Sequence, residues 1–139
     1  MAEMGFTPEL IASASVNPFR FIYLSGAFQG AQGGANAAAA GQTTILGVTD
    51  GSVYQFDKTE HAVANGPITL QPSNTVQVEA GASVTAGAFL MADASGKAIV
   101  LANLGASTLA VSTYIALEAA SSGEIFRAFR FGTRYLTGS

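Results

Sequence analysis

At 139 residues, the chain suits a single domain that buries roughly two-thirds of its unfolded surface. Only 11% of residues are charged and the net charge is −3, so no basic footprint for nucleic acid exists. Cysteine is absent, which excludes disulfides, thiol catalysis and thiolate metal sites together.

The first residues, Met1 to Leu10, hold two acids and no basic residue. They are not expected to act as a secretory signal, and the protein is expected to be made in a cytoplasm. Within them Thr7-Pro8-Glu9 opens a helical turn: Thr7 caps, Pro8 suits the first helical position and Glu9 complements the dipole. The turn is expected to run through Leu10 to Ala14, until Asn17-Pro18 breaks it. A turn this short is stable only when packed on something. Residues 1–18 therefore read as an arm that offers Phe6, Leu10 and Ile11 to a partner or to its own domain.

Residues 19–139 read as one β domain. Phe19 to Ser25 is the first strand, with Phe19, Phe21 and Tyr23 on one face and Arg20, Ile22 and Leu24 on the other. Gly26 to Gln42 is nearly uncharged, rich in Gly and Ala and without a core pattern, so it reads as a long flexible loop. Thr43–Thr49 and Ser52–Phe56 flank Asp50-Gly51, a two-residue hairpin signature. Asp57 to Asn65 is a polar loop, Ile68–Leu70 a short strand and Gln71–Asn74 a turn.

Val76 and Val78 alternate with Gln77 and Glu79 as a half-buried strand. Gly81 and Gly87 bracket a unit suited to a tight corner or bulge. Ala88–Ala92 and Lys97–Ala102 form a hairpin across Asp93-Ala94-Ser95-Gly96, with Phe89 and Met91 on one face and Leu90, Ile99 and Leu101 lining the other. After a loop over Asn103–Thr108 come a strand at Tyr114–Ala119, a turn at Ser121–Gly123 and a final strand at Glu124–Phe131. About nine short strands at intervals of about 8–12 residues predict an all-β fold, a small barrel or sandwich of antiparallel strands. No apolar run approaches the ~20 residues of a membrane-spanning helix.

Chemistry is thinly supplied. His61, the one histidine, forms D-x-x-E-H with Asp57 and Glu60, but no second ligand motif accompanies it, and metal sites need three or four ligands with a supporting shell. It is read as a residue of a solvated loop. No nucleophile motif such as G-x-S-x-G is present, and Ser95-Gly96-Lys97 fails the phosphate-loop pattern at both ends. Neither enzyme activity nor a cofactor is expected. The final strand places Ile125, Arg127, Phe129 and Phe131 on one face and Phe126, Ala128 and Arg130 on the other. Neither face is cleanly polar, so both are covered or one meets another subunit. Arg127, Arg130 and Arg134 either neutralise acids such as Glu118 and Glu124 within the fold or pair with carboxylates of a neighbour.

The run V-E-A-G-A-S-V-T-A-G-A-F-L-M-A-D-A-S-G-K-A-I, followed by I-A-L-E-A-A-S-S-G-E-I-F-R, resembles the capsid cement (head decoration) proteins of tailed phages. The match covers roughly residues 66 to 131; the arm and the Gly/Ala loop lie outside it. The resemblance implies a β-barrel-like domain, commonly a homotrimer, bound to the outer surface of a phage head. There it would bridge subunits of the major capsid protein and stabilise the expanded shell. It supplies no catalytic residues. With so few charges, the surface is poorly defended against association, as a subunit of an assembly would be. Two other readings stand beside this one: a tail or baseplate β module, and a β-barrel that binds a small ligand or glycan through Tyr54, Phe56 and Tyr114.

Overall fold

The computed structural model describes residues 10–33, 45–55, 59–101 and 109–137, with backbone alone at 109–111 and 133–137. Among the described residues there are nine strands and no helix. Four of them, β1 (Ile11–Ala12), β2 (Phe21–Gly26), β3 (Gln29–Gln32) and β4 (Ile45–Val48), form a sheet in the order β1-β3-β2-β4. The others are β5 (Thr75–Glu79), β6 (Phe89–Ala92), β7 (Ala98–Val100), β8 (Leu109–Ala116) and β9 (Ile125–Thr137), in the order β5-β9-β8-β6-β7. The two sheets make a β-sandwich and not a closed barrel.

Side-chain alternation explains the packing. In β2, Phe21 points toward the second sheet and Ile22 points away from it, and both are buried. The main core joins Phe21 and Val48 to Val76, Val78, Leu90, Tyr114, Phe126 and Ala128. Its centre holds the rings of Phe21 and Tyr114, 5.2 Å apart and tilted by 50°. A second core lies behind the four-stranded sheet, where Ala12, Val16, Ile22, Ala62 and Ile68 are buried together. Thus the segment 61–70, with the chain at Val16, forms a third layer over that sheet, tied by bridges between Ile11 of β1 and Pro67 and between Val16 and Ala62.

Five local expectations are corrected. Leu10 to Ala14 is not helical: Ile11 and Ala12 pair in parallel with Gln29 and Gly30. Backbone bonds from Ile11 N–H to Phe28 C=O and from Ala12 N–H to Gly66 C=O replace the intrahelical ones. Gln29–Gln32, expected within a flexible loop, is strand β3, held between β1 and β2. It has no apolar alternation because Gly30 must be small: a Cβ there would lie 2.7 Å from Ile22 Cγ2 and 3.2 Å from Ile68 Cδ1. Gly26 ends β2 and Ala27-Phe28 is the turn into β3, while residues 34–42 of that expected loop lie outside the described residues.

Among the described residues 52–55 no strand follows Asp50-Gly51. Instead the Asp50 carboxylate accepts from Ser52 N–H at 3.0 Å and from Ser52 Oγ at 2.6 Å, a side-chain-closed turn rather than a hairpin. Ile68–Leu70 likewise forms no strand: Leu70 makes an isolated bridge to Thr49, and its neighbour Pro67 one to Ile11. Finally, Met91 stands opposite Ile99 and Leu90 opposite Val100, so Ile99 shares the Met91 face and not that of Leu90.

The expected hairpin across Asp93–Gly96 is present. Asp93 Oδ1 accepts from the Ser95 and Lys97 N–H groups, both at 2.9 Å. Gly96 has φ of +84° and approaches two backbone atoms to 2.9 Å where a Cβ would sit, so glycine alone fits. Its carbonyl accepts from Phe21 N–H at 2.7 Å, fastening the hairpin to the other sheet. The border of β5 is closed in another way. The Gln71 side-chain amide donates to Gln77 C=O at 2.7 Å and accepts from Gln77 N–H at 2.8 Å, as a neighbouring strand would. The same amide nitrogen reaches Thr49 C=O at 3.0 Å.

Candidate docking face

Strand β9 positions the site. Five of its residues, Ile125 to Phe129, pair with β5, and its length continues along β8 to Thr137. Alternation sends Phe126 and Ala128 into the core and Ile125, Arg127, Phe129 and Phe131 outward. Register then builds a row: Thr75 and Ile115 flank Phe129, and Phe89 stands beside Ile115. Phe131 reaches Phe89 across β8, with ring centroids 5.2 Å apart. Ile125, Phe129 and Phe131 remain 42%, 38% and 38% exposed, and Leu117 at the end of the neighbouring row is 49% exposed. Contiguous exposed apolar surface of this kind marks interaction sites in soluble proteins.

The rim is ionic. Glu118 accepts from Arg127 twice at Oε2, from the backbone N–H at 2.9 Å and from Nε at 3.1 Å, and once at Oε1 from Nη2 at 3.3 Å. The Arg127 side-chain hydrogen bonds, followed by its backbone N–H, hold the Glu118 carboxyl below its ordinary value, and the same pair holds Arg127 above its own. Both groups are exposed to water, so the pair orients the rim more than it stabilises the fold.

The residues singled out from sequence are not gathered in one place. Phe6 lies outside the described residues. Leu10 packs against the second core, and Ile11 is half-buried in β1. Arg127 is paired within the chain, as one of the two sequence readings had it. Arg130 is half-buried at the open end of the sandwich, bonded to Tyr114 Oη and to Leu46 C=O. Arg134 stands opposite Ser112 in the β8–β9 ladder. Sequence reasoning recognises the two faces of β9 and leaves Arg127, Arg130 and Arg134 either to pairs within the fold or to contacts with a neighbour. It missed Phe28, an aromatic 61% exposed at the β2–β3 turn with φ of +57°, a conformation that usually selects glycine or asparagine.

His61 is not solvated but buried, at 4% exposure. Its Nδ1 is 2.9 Å from Ser52 C=O, and its Nε2 accepts from Thr69 N–H at 2.9 Å. A carbonyl requires a donor and an N–H requires an acceptor, so the ring is the neutral tautomer carrying its proton on Nδ1. Asp50 Oδ1 lies 3.4 Å from the same Nδ1. Both ring nitrogens are thus committed to holding the third layer together. Among the described residues no group of three or more His, Cys, Asp or Glu could hold a metal ion. Of the expected ligand platform of Tyr54, Phe56 and Tyr114, the two tyrosines stand in different places. Tyr54 lies beside the His61 loop, Tyr114 is in the main core and Phe56 lies outside the described residues.

No protein-family model matches the chain, and no curated protein does. In fold the chain is similar to the N base of the head fiber protein gp8.5 of bacteriophage phi29, known from a crystal structure. The TM-score is 0.56 and the sequence identity 20%, over 87% of this chain and 89% of that one. At this identity the likeness is one of architecture.

Proposed function

We propose that this chain is a non-enzymatic structural protein of a phage virion, bound to the outer surface of the head. The observation that carries the reading is the aromatic outer face of the five-stranded sheet, present in a fold shared with a phage head fiber base. In this reading Ile125, Phe129, Phe131 and Leu117 press against major capsid protein subunits and bridge them. A protein that binds the expanded shell but not its separated parts stabilises that shell by linkage. The head-decoration resemblance of residues 66 to 131 supports the same role and a homotrimeric state. A second reading, favoured by the head fiber neighbour, makes the domain the base on which a fibre stands. It shares the head-surface location and differs in what the domain carries.

Sedimentation of labelled protein with decoration-free expanded heads tests the proposal. Saturation at a copy number set by icosahedral symmetry, with heads that then resist heat better, is expected. Saturation without any gain in heat resistance moves the reading to a fibre base. Failure to co-sediment with matched heads overturns both.

A further inference from the structure

The cations of this fold are not treated alike. Arg20 and Lys97 both reach Glu79 at 3.3 Å, and Arg127 reaches Glu118 at 3.1 Å. Arg130 has no carboxylate partner among the described residues. Its Nε donates to Tyr114 Oη at 3.2 Å, and its Nη2 donates to Tyr114 Oη at 2.9 Å and to Leu46 C=O at 3.0 Å. These bonds aim the guanidinium, and the Tyr114 ring supports it with the guanidinium carbon 5.1 Å from its centroid. Nη1 is left without a partner among the described residues. Tyr114 Oη receives two N–H groups and keeps its own proton to donate. Both residues line an open cleft of about 300 Å³ walled by Leu46, Gly47 and the 70–74 turn.

We infer that this cleft is a carboxylate-binding site, which takes one Asp or Glu side chain from the protein that this domain docks on. The free Nη1 and the phenol proton beside it present donors, one for each oxygen of a carboxylate. The walls and net charge select the kind of anion. Leu46, Leu70 and Pro72 are neutral, and a chain of net charge −3 with one cation here repels polyanions such as nucleic acids. The source of the carboxylate rests on the head-surface reading; the site itself does not.

The test therefore uses the isolated protein and a small probe. Blocked glutamate (N-acetyl-glutamate amide) is titrated while the arginine side-chain Nε–H resonances are followed by NMR, with blocked glutamine as the control. A saturable shift of Arg130 with blocked glutamate and none with blocked glutamine is the expected result, with Arg127 left in place by its existing partner. Arg130→Lys, checked for folding by its amide spectrum, should weaken binding by about tenfold, since one ammonium cannot both hold Tyr114 and Leu46 and offer the donors of Nη1. The inference is overturned if Arg130 does not respond or if both arginines respond equally. Tighter saturation by inorganic phosphate than by blocked glutamate overturns the choice of ligand. None of these outcomes depends on heads, so a failure here is distinct from a failure to sediment.

Discussion

The four-stranded and five-stranded sheets have similar apolar content and very different surroundings. Behind the first, the segment 61–70 folds back with Val16 and buries Ile22 against Ala62 and Ile68. Behind the second nothing among the described residues performs that service, and Phe129, Phe131 and Ile125 remain open to water. Folding thus accounts for three of the four sheet faces. The apolar identity of the fourth adds nothing to the core among the described residues, which is why the proposed contact with a head is placed there. Low surface charge makes the same contrast at the level of composition.

Substitutions in the shared core test the contrast most severely. Phe126→Ala, which removes a ring 2% exposed between the sheets, should cost about 3–5 kcal/mol in chemical denaturation. That is much of the roughly 5–15 kcal/mol available to a domain. A loss under about 1 kcal/mol would mean that the sheets do not depend on one another. Ile22→Ala, behind the covered sheet, should cost about 2–5 kcal/mol. Hydrogen exchange should then show residues 61–70 opening before β5 to β9. Simultaneous opening would deny that the third layer is a separate unit.

His61→Ala leaves Thr69 N–H and Ser52 C=O without their buried partner, at about 1–3 kcal/mol. It should detach the same layer without touching the main core, which the near-ultraviolet signal of Tyr114 would report. On the open face, Phe129→Ser should change the stability of the isolated protein by less than about 1 kcal/mol. Its affinity for heads should fall by at least about tenfold, as for a residue at the centre of an interface. The opposite pattern, unstable protein with unchanged affinity, would assign Phe129 to the fold.

The smallest effect belongs to the rim. Because Arg127 holds the Glu118 carboxyl below its ordinary value of 4.5, their pair contributes above that pH and is lost as acid protonates Glu118. Arg127→Met should return the Glu118 carboxyl toward 4.5 in an NMR titration, with a change in melting too small to resolve for so exposed a pair.

Legibility in the sequence follows from where the stabilising contacts come from. Strand β5 and the β6–β7 hairpin were readable because valine alternation and the Asp93–Gly96 turn are local signals. The final strand was readable in its faces but continues past Phe131 along β8 to Thr137. Strands β1 and β3 were not readable. Thr7-Pro8-Glu9 is a sound helix start by itself, but Ile11 and Ala12 gain backbone bonds to Phe28 and Gly66, which no local rule contains. Gln29–Gln32 lacks a strand pattern because the second core needs Gly30 to be small. The number of strands agrees, yet Ser52–Phe56 and Ile68–Leu70 were expected in place of these two. His61 misled by its polar neighbours: hydrogen bonds at both nitrogens let a histidine be buried where composition predicts water.

The amide of Gln71, held against Gln77 on the border of β5, has a consequence for crowding. Exposed strand borders are where sheet proteins zip together when concentrated. Here the groups a foreign strand would seize are already engaged by a side chain. Copies gathered shoulder to shoulder can touch along this border and still remain separate molecules.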